Sequence, residues 1–250
     1  ITDSINYAFR IQKAILPAAE DIKHGLPQSF VLFKPKDIVS GDFYWYTEVD
    51  DKIIITAADC TGHGVPGGFM TMIGNTLLNE IVKRDKVIMP DEILTKLHQG
   101  VRKALSQAST DNRDGMDMAL LTIDKAAGKL HYAGAGNPLL IIKDGKAEKV
   151  KADPMAVGGR QDEEERVFSM QSFDIEPAAV YYIFSDGYQD QFGGPKGKKY
   201  MTKKMRRKLA EVSDQPLDKQ RDLLDKDITT WMGDEHEQID DILVIGIKLG

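Results

Sequence analysis

Two hydrophobic periods alternate along this chain. At the start, Ile1, Ile5, Ala8, Ile11 and Ile15 recur at steps of three and four, as on one face of a helix, until Pro17 breaks the pattern. Past Pro27 the apolar runs shorten, and 29–33, 43–49 and 52–58 read as strands, with Asp50-Asp51-Lys52 supplying a hairpin turn. The third of these carries Ile53-Ile54-Ile55 and suits a strand buried on both faces. Helical spacing returns in Met70, Ile73, Leu77, Leu78 and Ile81, within 66–83, and again over 90–105, where Pro90 falls in the first turn. Short runs at 118–123, 129–133, 139–142, 147–150, 167–173 and 179–184, punctuated by Gly and Asp turns such as Lys143-Asp144-Gly145-Lys146, read as a meander. Two polar helices over 202–212 and 217–231 and a strand over 242–249 complete the pattern. Strands in series with helices in pairs predict an α+β layered sandwich rather than a doubly wound parallel sheet. No repeat or linker divides it, so residues 18–250 read as one domain and 1–17 as a helix leading into it.

Composition narrows the function classes. With 250 residues, 42% of them hydrophobic and 29% charged, the chain can bury a substantial core. A net charge of -6 disfavours a general nucleic-acid binder, which needs a basic surface to neutralise phosphates. No apolar run approaches the roughly 20 residues that span a bilayer. The single cysteine, Cys60, excludes an internal disulfide and fits a reducing, cytoplasmic setting. Starting at Ile1, the chain reads as a fragment of a longer protein, one that can carry a membrane anchor elsewhere.

The candidate chemistry lies in four aspartates at the edges of apolar runs: Asp42 in Ser40-Gly41-Asp42-Phe43, Asp59 in Ala58-Asp59-Cys60-Thr61-Gly62-His63-Gly64, Asp186 in Ser185-Asp186-Gly187, and Asp241 in Asp240-Asp241-Ile242. A strand that ends in Asp and runs into a turn delivers a carboxylate from a rigid scaffold to a loop mouth. Several such ends can converge on hard cations, because Mg²⁺ and Mn²⁺ prefer carboxylate, carbonyl and water oxygens, whereas zinc favours the scarce Cys and His.

In order and wording these motifs resemble the SpoIIE-type protein phosphatases, the bacterial branch of the metal-dependent PPM serine/threonine phosphatases. The likeness rests on 37–44, 58–67, Asp114-Gly115-Met116-Asp117, Ala133-Gly134-Ala135-Gly136-Asn137-Pro138, Ser185-Asp186-Gly187 and Asp240-Asp241, and spans nearly the whole chain. It implies a four-layer α-β-β-α sandwich with two Mn²⁺ or Mg²⁺ ions at one end, held by Asp42, Asp59, the backbone carbonyl of Cys60, Asp186 and Asp241. Asp117 is a candidate for a third, weaker ion. Adjacent strand residues point to opposite faces, so one of Asp240 and Asp241 aims at the ions, and the resemblance favours Asp241. Lys34 and Lys36 are candidate phosphate partners. His63 is a candidate general acid or else a turn residue, and the thiol of Cys60 a small buried group.

The leading expectation is a phosphoserine and phosphothreonine hydrolase, the output domain of a bacterial signalling protein, acting through metal-activated water. Its implied substrate is a phosphorylated regulatory protein of the anti-sigma-factor-antagonist type. The first helix would link it to an upstream sensor and offers a homodimer contact. The alternatives are a silent phosphoprotein-binding module and a metal-dependent phosphodiesterase or cyclase, though no P-loop supports the last. The basic run over 196–208 is a solvated face or a docking rim.

Overall fold

The computed structural model describes residues 2–163 and 165–250; Ile1, first of the apolar helix stripe, and Glu164, in the acidic loop, lie outside them. In chain order it contains α1 (Thr2–Ile15), α2 (Ala19–Gly25), β1 (Ser29–Lys34), β2 (Asp42–Val49), β3 (Lys52–Cys60), α3 (Gly64–Leu78), α4 (Pro90–Ala104), β4 (Gly115–Asp124), β5 (Lys129–Ala135), β6 (Leu139–Lys143) and β7 (Lys146–Val150). These are followed by β8 (Val157–Gly158), β9 (Gln171–Asp174), β10 (Val180–Phe184), α5 (Gly187–Asp190), β11 (Phe192–Gly193), β12 (Lys198–Lys199), α6 (Thr202–Val212), α7 (Leu217–Met232) and β13 (Ile242–Lys248). One antiparallel sheet runs β1-β13-β10-β6-β7 and the other β2-β3-β4-β5-β9, with β8 paired to β4.

The reason β3 is apolar on both sides is its place in the middle. Ile53, Ile55 and Ala57 face the other sheet, packing with Ala119, Leu121, Ile123, Tyr181, Ile183, Leu243 and Ile245. Ile54, Ala58 and Cys60 point the opposite way, beneath Leu78, Leu94, Leu97 and Val101 of α3 and α4. A third apolar layer sets Tyr182, Phe184, Ile242 and Val244 against Leu209, Leu224 and Ile228 of α6 and α7. Three stacked cores between four layers make the α-β-β-α sandwich.

Most of the expected elements form, with instructive exceptions. α3 starts two residues before Pro66 and gives way at Asn79–Arg84 to a π-helical turn. Of the strand expected at 167–173, only Gln171–Asp174 pairs, against β5. The preceding residues are diverted: the Phe168 amide bonds the Thr95 hydroxyl, its ring enters the helix-side core, and Ser169 is held by Asp153. The helix α2 is too short and polar to carry a periodic signal.

The inter-sheet layer sets the spacing of the two sheets, so Leu121→Ala, at a fully buried position, is expected to cost about 3 kcal/mol in urea-monitored unfolding.

Candidate functional site

Strand register places three aspartates in one row. Asp42 on β2 lies opposite Asp59 on β3, and Asp59 opposite Asp117 on β4. Directly opposed residues share a face and sit about 5 Å apart, so the three carboxylates leave the sheet together. That face is the inter-sheet one, since Tyr44, Ala57 and Ala119, each two residues along its strand, pack in the middle core. At this end of the sandwich the apolar layer stops and carboxylates continue it. The facing sheet contributes Ser185 and Asp186 where β10 ends, and Asp240 and Asp241 where β13 begins.

The cluster is electrostatically unbalanced. Burial, followed by the charge of Asp59, raises Asp42 well above the usual carboxylate range. Asp59 is pushed up to about 8 by burial first and then by the charges of Asp186 and Asp240. Asp117 rises to about 6 through burial and the charge of Asp186, while Asp186 and Asp240 are raised chiefly by burial. Lys199 offsets Asp186 in part, as Lys36 and His63 do Asp240. Desolvated like charges without a matching cation are what a metal site shows before its ion is counted.

Several carboxylate oxygens are engaged by protein donors. Ser185 donates its hydroxyl to Asp42 and receives the Leu243 amide at 3.1 Å. The Asp186 amide is 3.4 Å from an Asp59 oxygen. Among the described residues no three His, Cys, Asp or Glu side chains are gathered in a finished metal shell. What the fold supplies is donor chemistry on rigid strand ends.

Asp240 and Asp241 differ in what engages them. Asp241 is buried, accepting the Lys36 amide at 2.8 Å on one oxygen and the Gly41 and Asp42 amides at 2.7 and 3.4 Å on the other. The charge of half-buried Asp240 raises Asp59 and Asp186, and both Asp241 and Asp240 raise Asp42. Strand parity does aim Asp241 between the sheets, in line with Leu243 and Ile245. There, however, the loop before β2 closes over it and its lone pairs go to backbone amides.

Other expected residues divide. Lys34 shares the parity of Phe30 and Leu32, so it projects from the outer face and pairs with Asp225 of α7 at 2.6 Å, away from the carboxylates. Lys36 stays at the rim: its ammonium is 3.3 Å from His63 Nε2, and His63 Nδ1 is 2.6 Å from Asp37. The Cys60 side chain is buried in the helix-side core, its thiol pushed up by burial. Close packing at Gly41 draws the loops together, because a Cβ there would lie 2.2 Å from the Gly62 carbonyl oxygen.

Two contributors had no role assigned from the sequence, although Ser185 stands within the Ser185-Asp186-Gly187 motif. Ser185 could have been found as a polar residue at the core parity of Tyr181 and Ile183. Gln12, the buried residue of α1, donates to the Ser40 carbonyl at 2.6 Å and accepts the Ser40 amide at 2.9 Å, two residues from Asp42. Beside the row opens a cleft of about 430 Å³, whose lining includes Asp59, Asp117 and Asp186 together with Arg113 and Arg160.

A family model described as Stage II sporulation protein E (SpoIIE) matches residues 49–250. The chain belongs to the SpoIIE family. Its structure is similar to the SiaA-PP2C domain of Pseudomonas aeruginosa, with TM-score 0.88 and 32% identity over 99% of this chain and 96% of that one. The PP2C phosphatase domain with a fragment of the regulatory domain of SpoIIE from Bacillus subtilis gives TM-score 0.70 and 19% identity, over 88% of this chain and 62% of that one. A structure of RsbX in complex with magnesium gives TM-score 0.60 and 14% identity, over 88% and 94%. No curated protein matches. The SpoIIE-family fold thus places the two large antiparallel sheets of this chain among PP2C domains.

The two neighbouring aspartates are separable by experiment. Asp241→Asn is expected to cost about 1–3 kcal/mol in chemical unfolding, as backbone amides lose a charged acceptor; Asp240→Asn is expected to leave stability unchanged or raised while weakening Mn²⁺ binding in a calorimetric titration. A pH dependence follows as well. Folded Asp59 titrates near 8 against an ordinary 3.8, so between those values the native state holds the extra proton and its stability falls as pH rises. In EDTA, the melting temperature of the wild type is expected to drop more steeply from pH 5 to pH 8 than that of Asp59→Asn.

Proposed function

We propose that this chain is a serine/threonine phosphoprotein phosphatase that works with divalent metal held by Asp42, Asp59, Asp186 and Asp240. The observation that carries this is the aspartate row across β2, β3 and β4, closed from the other sheet by Asp186 and Asp240 and short of positive charge. Oxygen-only donors fit Mn²⁺ or Mg²⁺, and magnesium in the RsbX complex agrees with that choice. The backbone carbonyl of Cys60 fits as a further ligand, and Asp117, at the end of the row, suits a third, weaker ion.

When bound, two such cations would lower the pKa of a shared water and clamp phosphoryl oxygens during in-line displacement. The chain's own residues make that geometry available. Asp241 ties the Gly41 and Asp42 amides beneath the cluster, Ser185 orients the Asp42 carboxylate, and the rigid ladder fixes Asp42, Asp59 and Asp117 in step. No protein nucleophile enters, and the Cys60 thiol, buried on the opposite face of β3, takes no part. Lys36, half-buried, and exposed His63, 3.3 Å apart, are the cations we propose for an incoming phosphate.

The substrate we infer is a phosphorylated regulatory protein, of the anti-sigma-factor-antagonist type that the family resemblance implies. In that reading the domain is the output of a longer signalling chain, and α1 carries the input through Gln12 and Ser40, with a homodimer as one way to deliver it. No described helix is long and apolar enough to cross a membrane.

Manganese-dependent phosphate release from phosphoserine and phosphothreonine proteins tests the reading. Asp59→Asn and Asp186→Asn, folded as judged by circular dichroism, are expected to lose at least about 100-fold in kcat/KM, beyond what removing an outer-shell partner costs a metal enzyme. Phosphoprotein binding by the wild type without any release would make it a silent binding module.

A further inference from the structure

The lining of the cleft carries arginines as well as carboxylates. β8 pairs with β4 in antiparallel register, Gly115 opposite Gly158 and Met116 opposite Val157. Arg113 precedes β4 and Arg160 follows β8, past Gly158 and Gly159, whose φ of 72° and 76° end the extended ladder, and both residues line the cleft that also holds Asp59, Asp117 and Asp186. Like charges gathered in one cleft repel, so the pair would be relieved by an anion between them.

The fold holds both arginines in place. Buried Arg166 donates to the carbonyls of Ala156, Gly158 and Arg160 at 2.8, 3.3 and 2.8 Å, knitting the loop that presents Arg160. The Gly158 amide bonds His98 and the Gly159 amide bonds Gln107, both at 2.9 Å, fastening that loop to α4 and the segment after it. Arg113 spends one guanidinium nitrogen on the Thr110 and Asn112 carbonyls and has no carboxylate partner among the described residues. Among the described residues the Arg160 guanidinium has one carboxylate partner, the exposed Asp162 at 2.7 Å, a contact that competes weakly with a second carboxylate.

We propose that Arg113 and Arg160 form a two-guanidinium clamp for an acidic side chain next to the phosphorylated residue of the substrate, and so set sequence preference. This rests on the phosphatase reading above. With the phosphoryl group over Asp59 and Asp186, a neighbouring carboxylate extends along the cleft towards the arginines. Planar guanidinium groups suit it because each can offer two parallel N–H donors.

The test uses the metal-loaded protein and phosphoserine decapeptides with two Glu, two Ala or two Lys on either side of the phosphoserine, with p-nitrophenyl phosphate as an ester that has no flank. The wild type is expected to favour the Glu peptide over the Ala peptide about tenfold in kcat/KM, through KM, and to lose that preference in high salt. In Arg113→Ala/Arg160→Ala the loss is confined to the Glu peptide, and Arg113→Glu/Arg160→Glu turns the order towards Lys. A flat order in the wild type, or a preference that survives both double variants, would overturn the clamp. So would an equal fall on p-nitrophenyl phosphate, which would assign the arginines to the phosphoryl group itself. If no substrate is turned over, the phosphatase reading fails separately; fluorescence anisotropy on the same peptides then decides the clamp, with Glu-peptide preference supporting it and a flat order refuting it.

Discussion

Repulsion among desolvated carboxylates at one end of the sandwich is the constraint around which this structure is arranged. Burial raises Asp42, Asp59, Asp117, Asp186 and Asp240 together, and each charge makes its neighbours harder to ionise. A fold driven by apolar burial alone would have continued the layer of Tyr44, Ala57 and Ala119 to its end. Instead the layer stops one step short on three adjacent strands. Keeping those carboxylates close costs stability, and a divalent cation is the partner whose charge and oxygen preference would repay it.

The scaffold answers with stiffness. Regular strand pairing fixes the row on one sheet, and the other sheet is held against it through Asp241, whose carboxylate spans from β13 to the backbone before β2. Ser185 links Asp42 to the backbone of Leu243 by giving one hydrogen bond and taking another. Gln12 clasps both backbone groups of Ser40, so a displacement of α1 would be felt two residues from Asp42.

Much of this was legible in the sequence because two periods separate cleanly. The triple-Ile run of β3 announced a strand buried on both faces, and helical spacing marked α3 and α4 to within a few residues. The strand-end aspartates pointed to hard cations before any coordinates. What sequence could not supply was register: nothing in the spacing of Asp42, Asp59 and Asp117 says that they face one another across three strands. Nor could spacing separate Asp240 from Asp241, because the loop whose amides engage Asp241 is distant in sequence. Lys34 failed for a related reason. Closeness to Asp42 in the chain counted for less than the outward parity of β1. The first residues of the strand expected at 167–173 gave way to side-chain contacts with Thr95 and Asp153, interactions that a local pattern does not encode.

The central claim is that the raised carboxylates are a cation site in waiting, and proton release on metal binding tests it most directly. Titrating Mn²⁺ into the metal-free protein at pH 7, in two buffers of different ionisation enthalpy, reads both the binding and the protons displaced. Because Asp59 titrates near 8 in the free protein, saturable binding accompanied by proton release is expected, with the release diminished in Asp59→Asn. Absence of binding, or binding that displaces no protons, would contradict it.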